Sequence, residues 1–119
     1  VIRGLDHVLV SAPPGCEPAG RAFYGELLGL SEIPRPPAMG DGGLWFVCGA
    51  AELHVGTDDA HAGAAKAHPA FSVDPATLTS LAARLEAAGQ IVRWDARIPG
   101  VPRFYTTDPF GNRLEIIGR

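Results

Sequence analysis

The chain passes twice through one order of elements, and that repetition restricts its fold more than any other feature. In the first pass Leu5–Val10 is a β-rich run stopped by Pro13-Pro14-Gly15. Pro18–Leu28 follows with a helical pattern: Phe23 and Leu27, and Tyr24 and Leu28, stand at i, i+4, and Gly29 is a stop. Leu30–Arg35, Leu44–Cys48 and Ala51–Val55 have strand patterns, with Pro36–Gly43 a loop and Gly49-Ala50 a turn. In the second pass His68–Val73 is the strand. Asp74 caps a helix that starts at Pro75, carries the stripe Leu78, Leu81, Leu85 and Ala88, and ends at Gly89. Gln90–Trp94, Arg103–Thr107 and a closing strand through Glu115 complete it, with Asp95–Pro102 a loop. Small and polar residues from Thr57 to Ala67 separate the passes. The expected organisation is one domain of two modules, about 1–57 and 68–119, joined by a linker of about 58–67.

Bulk properties remove several function classes. A chain of 119 residues suits one domain with a real core. The net charge is −3 and no basic stripe is present, which argues against a nucleic-acid partner. No stretch approaches membrane-spanning length and no signal peptide is visible, so a cytoplasmic protein without a membrane partner is expected. Cys16 and Cys48 lack metal-type spacing and suit reduced thiols, with one disulfide as the alternative.

The chemistry concentrates near the C-terminus. Asp108-Pro109-Phe110-Gly111 is a tight turn leading into Asn112-Arg113-Leu114-Glu115-Ile116-Ile117. Alternation puts Leu114 and Ile116 on one face and Arg113, Glu115 and Ile117 on the other. A mid-strand carboxylate among apolar residues is costly unless a cation, proton or hydrogen-bond partner meets it. Spacing suggests what does. His54 follows His7 by 47 residues, and Glu115 follows His68 by the same 47. Two histidines, a glutamate and a fourth N/O donor form a metal set suited to Zn, Fe, Mn, Ni or Co, with positions left open for substrate. Glu52 and His54 are i and i+2 on one strand face, so either can be the fourth ligand. The common offset favours His54; the likeness of Ala51-Glu52-Leu53 to Leu114-Glu115-Ile116 favours Glu52. The rival reading pairs Glu115 with Arg103 or Arg113 and leaves each histidine an ordinary hydrogen-bonded side chain, as expected of His61 in the linker.

These residues resemble the vicinal oxygen chelate superfamily, whose members include glyoxalase I, methylmalonyl-CoA epimerase, extradiol dioxygenases, and fosfomycin- and bleomycin-resistance proteins. The resemblance rests on Leu5-Asp6-His7-Val8, Phe23-Tyr24 through Leu30, Glu52-Leu53, His68-Pro69-Ala70-Phe71-Ser72-Val73, and Phe104-Tyr105 through Glu115. It covers nearly the whole chain. It implies an α+β fold of two βαβββ modules related by pseudo-two-fold symmetry, their mixed sheets curling into a cup. It also implies His7, His68 and Glu115 as metal ligands, with Glu52 (or His54) as the fourth. A divalent ion there would act on a small substrate with two adjacent oxygens and stabilise an enediolate-like oxyanion, with Glu115 (or Glu52) moving a proton. A homodimer is implied as well.

Departures from the resemblance narrow the reading. Leu9 and Asp95 stand where fosfomycin-resistance enzymes carry a hydroxyl residue and a lysine, so that chemistry is disfavoured. Retention of the ligand set favours a glyoxalase-type lyase or isomerase, or a dioxygenase, over a non-catalytic drug-sequestering protein of the bleomycin-resistance type. Tyr105 and His54 are the further acid–base candidates. Trp45, Trp94 and Arg103 are candidates for binding substrate, whereas Phe46 suits sheet packing and Arg113 a structural role.

Overall fold

A computed structural model describes all residues from Val1 to Arg119. The chain divides into two compact units, Val1–Gly63 and Ala64–Arg119. In the first, β1 (His7–Ala12) leads to α1 (Glu17–Gly20), which runs directly into a π-helical segment, Arg21–Leu27. Strands β2 (Ser31–Ile33), β3 (Leu44–Cys48) and β4 (Ala51–Thr57) follow, with a 3₁₀ turn at Pro37–Met39. In the second, β5 (Ala70–Val73) leads through a 3₁₀ turn at Pro75–Thr77 to α2 (Leu78–Ala87), then β6 (Arg93–Trp94), β7 (Arg103–Thr107) and β8 (Arg113–Gly118). Each unit is a βαβββ module with one mixed four-stranded sheet. The orders are β1-β4-β3-β2 and β5-β8-β7-β6, the same path walked twice. No helix is long and apolar enough to cross a membrane.

The register repeats as closely as the order. Leu9 pairs with His54 and His54 with Trp45 in the first sheet. Ala70 pairs with Glu115 and Glu115 with Tyr105 in the second. His7 and His68 each stand two residues before the first member of these rungs.

Alternation decides which face of each sheet is core. Phe46, Leu53 and Val55 in the first module, and Phe104, Leu114 and Ile116 in the second, are almost fully buried. Phe23 and Tyr24 from the helix of the first module, and Leu78 and Leu85 from α2, are buried too. The opposite faces carry His7, Glu52 and His54, and Tyr105 and Glu115, and so are where chemistry can occur.

Several element limits differ from those read in the sequence. The first helix starts at Glu17, and most of it is π-helical, with the Leu28 N–H bonded to the Phe23 carbonyl. Gly25 lies in this wider turn, and the Phe46 ring comes within 3.7 Å of where a Cβ would stand. The strand expected over Leu30–Arg35 keeps only Ser31–Ile33, because the Leu30 N–H closes the helix end on the Tyr24 carbonyl. The strand expected from His68 begins at Ala70. Pro69 has no N–H for a ladder, although its carbonyl accepts from Glu115. The strand expected from Gln90 begins at Arg93, because the Gln90 N–H is spent on the Leu85 carbonyl at the end of α2.

Candidate functional site

Each module builds one histidine–carboxylate pair on its open face. In the first, His7 opens β1 and pairs with Glu52 across the parallel ladder. The Asp6 Oδ1 lies 2.7 Å from His7 Nδ1. A carboxylate there fixes the proton on Nδ1 and leaves Nε2 with the ligating lone pair. His54 is 5% exposed. Its Nε2 donates to Glu52 Oε2 at 2.7 Å. Its ring lies flat between two others: Trp45 at 4.0 Å between centroids and 3° between planes, and His7 at 4.1 Å and 15°. A bound ion lies in the plane of the imidazole that binds it. Two nearly parallel rings stacked this closely do not aim their nitrogens at a common point. His7 and His54, so stacked, do not suit one ion.

In the second module Glu115 projects from β8 beside its cross-strand partner Tyr105. His68, in the segment before β5, donates from Nδ1 to the Lys66 carbonyl at 2.8 Å, and its Nε2 lies 3.1 Å from Glu115 Oε2. The Nδ1 bond again assigns Nε2 as the free nitrogen of the neutral ring. A bare nitrogen and a carboxylate oxygen so close must share a proton or a cation. Two ligands each about 2.1 Å from one zinc-sized ion would stand roughly 3.0 to 3.4 Å apart, so the spacing fits a shared cation as well as a shared proton.

The other side of Glu115 is braced. Its Oε1 accepts from Arg103 Nη1 at 2.9 Å. The same Nη1 donates to Tyr105 Oη at 2.6 Å, and Arg103 Nη2 lies 3.2 Å from Asp95 Oδ2. Burial pushes the Glu115 carboxyl up, but the hydrogen bonds from Arg103 and His68 outweigh it and hold the group below its ordinary value. Asp95 is held far below the carboxylate range, first by the Arg97 side chain, then by the Arg97 backbone N–H, with Arg103 adding to it. The Tyr105 ring meets His68 edge-on at 5.3 Å, and the Arg113 guanidinium lies 3.9 Å from its centroid.

The remaining candidates separate by position. Trp45 is half-buried against His54; Trp94 is 51% exposed and packs edge-on against Phe104 at 5.2 Å. Arg103 is buried and committed to Glu115, Tyr105 and Asp95, the structural partnership that competes with a substrate role. His61 bonds to Ser11. Cys16 and Cys48 are free, and burial raises both thiol pKa values, which makes them poor nucleophiles. Neither module by itself gathers three His, Cys, Asp or Glu side chains placed to hold an ion.

Two participants escaped the sequence reading. Asp6 belongs to the Leu5-Asp6-His7-Val8 motif without a role of its own there, yet its adjacency to His7 is a usable signal. Asp95 stands in the sequence only as a departure from lysine; its contact with Arg103 extends the antiparallel β6–β7 register by one rung, with the Asp95 N–H on the Arg103 carbonyl.

No protein-family model matches this chain, and no curated protein does. Solved structures do. A protein assigned to the glyoxalase family from Bacillus anthracis is 45% identical, with 100% of this chain and 97% of that one covered and a TM-score of 0.92. A lactoylglutathione lyase from Agrobacterium tumefaciens is 23% identical, with 98% and 94% covered and a TM-score of 0.77. A genomically encoded fosfomycin resistance protein from Listeria monocytogenes is 17% identical, with 100% and 95% covered and a TM-score of 0.82. At such identities the last two establish fold alone.

Proposed function

The chain belongs to the glyoxalase family of the vicinal oxygen chelate superfamily, and from that premise we propose that it is a metal-dependent enzyme acting on a small molecule with two adjacent oxygens. The ligands are His7 and Glu52 from one module and His68 and Glu115 from the other. The observation that carries this reading is the His68–Glu115 pair, in which Nδ1 is tied to a carbonyl and Nε2 stands 3.1 Å from a carboxylate oxygen. The donor set of imidazole and carboxylate suits Zn, Fe, Mn, Ni or Co. Such an ion would supply Lewis acidity to the substrate oxygens.

The chain's own groups then have distinct tasks. Glu115 is a candidate proton carrier: Arg103 holds Oε1, so Oε2 is the oxygen turned to His68 and the open face. Tyr105 accepts from Arg103, so its own phenolic hydrogen is free to donate to a substrate oxygen. His54 holds Glu52 in place, a positioning role supported by its stacking between Trp45 and His7. Leu9 and Val47, exposed on the same strand face as His7 and Glu52, offer apolar surface to a substrate or a second copy of the chain. A cytoplasmic homodimer completes the proposal.

The test is turnover of α-ketoaldehyde, hydroxy-acid and catechol panels by protein reconstituted with each metal. Isomerised or dehydrated products indicate the lyase or isomerase class, and oxygen uptake with catechols the dioxygenase class. A non-catalytic binder is the second reading. It is favoured by a 440 Å³ cavity whose wall includes the exposed Trp94 with Ile98, Val101 and Pro102. Retained ligand affinity after chelation, with no turnover of any panel member, would select it.

A further inference from the structure

A second cavity, of about 320 Å³, opens on the second module beside Tyr105. Arg93 and Arg113 both line it, with Tyr105 and Thr107 between them and Ile91 at one side. The sheet explains the convergence. Arg93 pairs with Tyr105 across β6 and β7, and Thr107 with Arg113 across β7 and β8. Tyr105 and Thr107 are i and i+2, so all four project from one face.

These two arginines share one cavity without a counter-charge. Arg21 has Glu32, Arg97 has Asp95, and Arg103 has both Asp95 and Glu115. No carboxylate lies within ion-pair distance of Arg93 or Arg113, and none lines the cavity. The nearby Glu115 is already taken by Arg103 and His68. The Arg113 guanidinium lies over the Tyr105 ring, which supports its planar group without using its N–H donors. Two like charges sharing a cavity repel unless an anion joins them.

We propose that Arg93 and Arg113 form an oxyanion subsite that takes the carboxylate or phosphate group of a small molecule. Guanidinium forks match either group bidentately. The Thr107 hydroxyl is a further donor, and Ile91 accepts the adjoining apolar carbon. Bound there, the anion lies on the same strand face as Tyr105 and Glu115. Its identity as part of the substrate therefore rests on the reading of Glu115 as a metal ligand; anion binding itself does not.

Chelator-treated protein, titrated calorimetrically with inorganic phosphate and with malonate at low ionic strength, separates the two claims. The expected result is saturable binding of at least one probe, weakened at least about tenfold by Arg93→Gln and by Arg113→Gln but not by Arg3→Gln. Arg113→Lys, which keeps the charge without the fork, should fall between. Preference for malonate identifies a carboxylate ligand and preference for phosphate a phosphoryl one. Absence of saturable binding in the wild type, or an unchanged Kd in the folded Arg93→Gln/Arg113→Gln protein, overturns the subsite. A protein that binds phosphate but no metal would retain the subsite and lose the metal-centre reading instead.

Discussion

The Nε2 of His68 stands 3.1 Å from Oε2 of Glu115, while Oε1 of the same carboxylate is held 2.9 Å from Arg103. One carboxyl group therefore serves two demands, one oxygen neutralised by the protein and the other facing an imidazole nitrogen. This division lets a buried acid stay ionised on an otherwise apolar strand.

The acid limb of stability should follow from that pairing. The folded Glu115 carboxyl lies below its ordinary value, so its stabilising effect is present above the unfolded carboxylate pKa. It is lost as pH falls through the depressed folded value. Urea unfolding of metal-free protein from neutral to acid pH should show this loss, and Glu115→Gln should flatten it. An identical acid limb in Glu115→Gln would assign the loss elsewhere, with Asp95 the next group to test.

Glu52 and His54 should respond differently to substitution. Glu52→Ala removes a ligand and should abolish tight metal binding. His54→Gln releases the carboxylate it positions and should weaken binding by about 10- to 100-fold. Loss of metal in His54→Gln with retention in Glu52→Ala would reverse the two roles.

Gly43 admits no side chain. Its φ is +89°, and a Cβ would lie 2.6 Å from the Val55 carbonyl oxygen, beside the Leu44–Val55 rung. Gly43→Ala should cost about 1–3 kcal/mol through backbone strain alone, and more if the β3–β4 ladder shifts. Chemical denaturation measures it; an unchanged midpoint would contradict the geometry.

Phe104 anchors the second module, fully buried on the face opposite Glu115. Phe104→Ala should destabilise by about 3–5 kcal/mol. Denaturant unfolding gives the value, and a loss well under that range would mean that the site collapses around the missing ring.

Where the sequence was legible, two constraints agreed. β3 and β7 begin and end as read, because alternation runs between turn residues at both ends. The module order was legible for the same reason. His68 was expected inside a strand and lies before one, because its neighbour Pro69 cannot donate to the ladder. The shared offset of 47 residues has a physical source in the repeated register, in which His54 and Glu115 occupy matching rungs. Yet the same residue offset does not make their roles the same. Ring stacking, invisible in a one-dimensional pattern, sets His54 against Trp45 and His7 and supports Glu52 as the ligand. The partnership of Arg103 with Glu115 was foreseen only as a rival reading, and Arg93 was not singled out at all, since its place beside Tyr105 depends on a two-residue strand.

Metal stoichiometry by mass spectrometry, on wild type and on His7→Ala, His68→Ala and Glu115→Ala proteins shown to be folded, tests the central claim most directly. The account predicts one divalent ion per site in the wild type, with loss in all three variants. Equal metal content across the four proteins, or no bound metal in wild type supplied with each candidate ion, would contradict it.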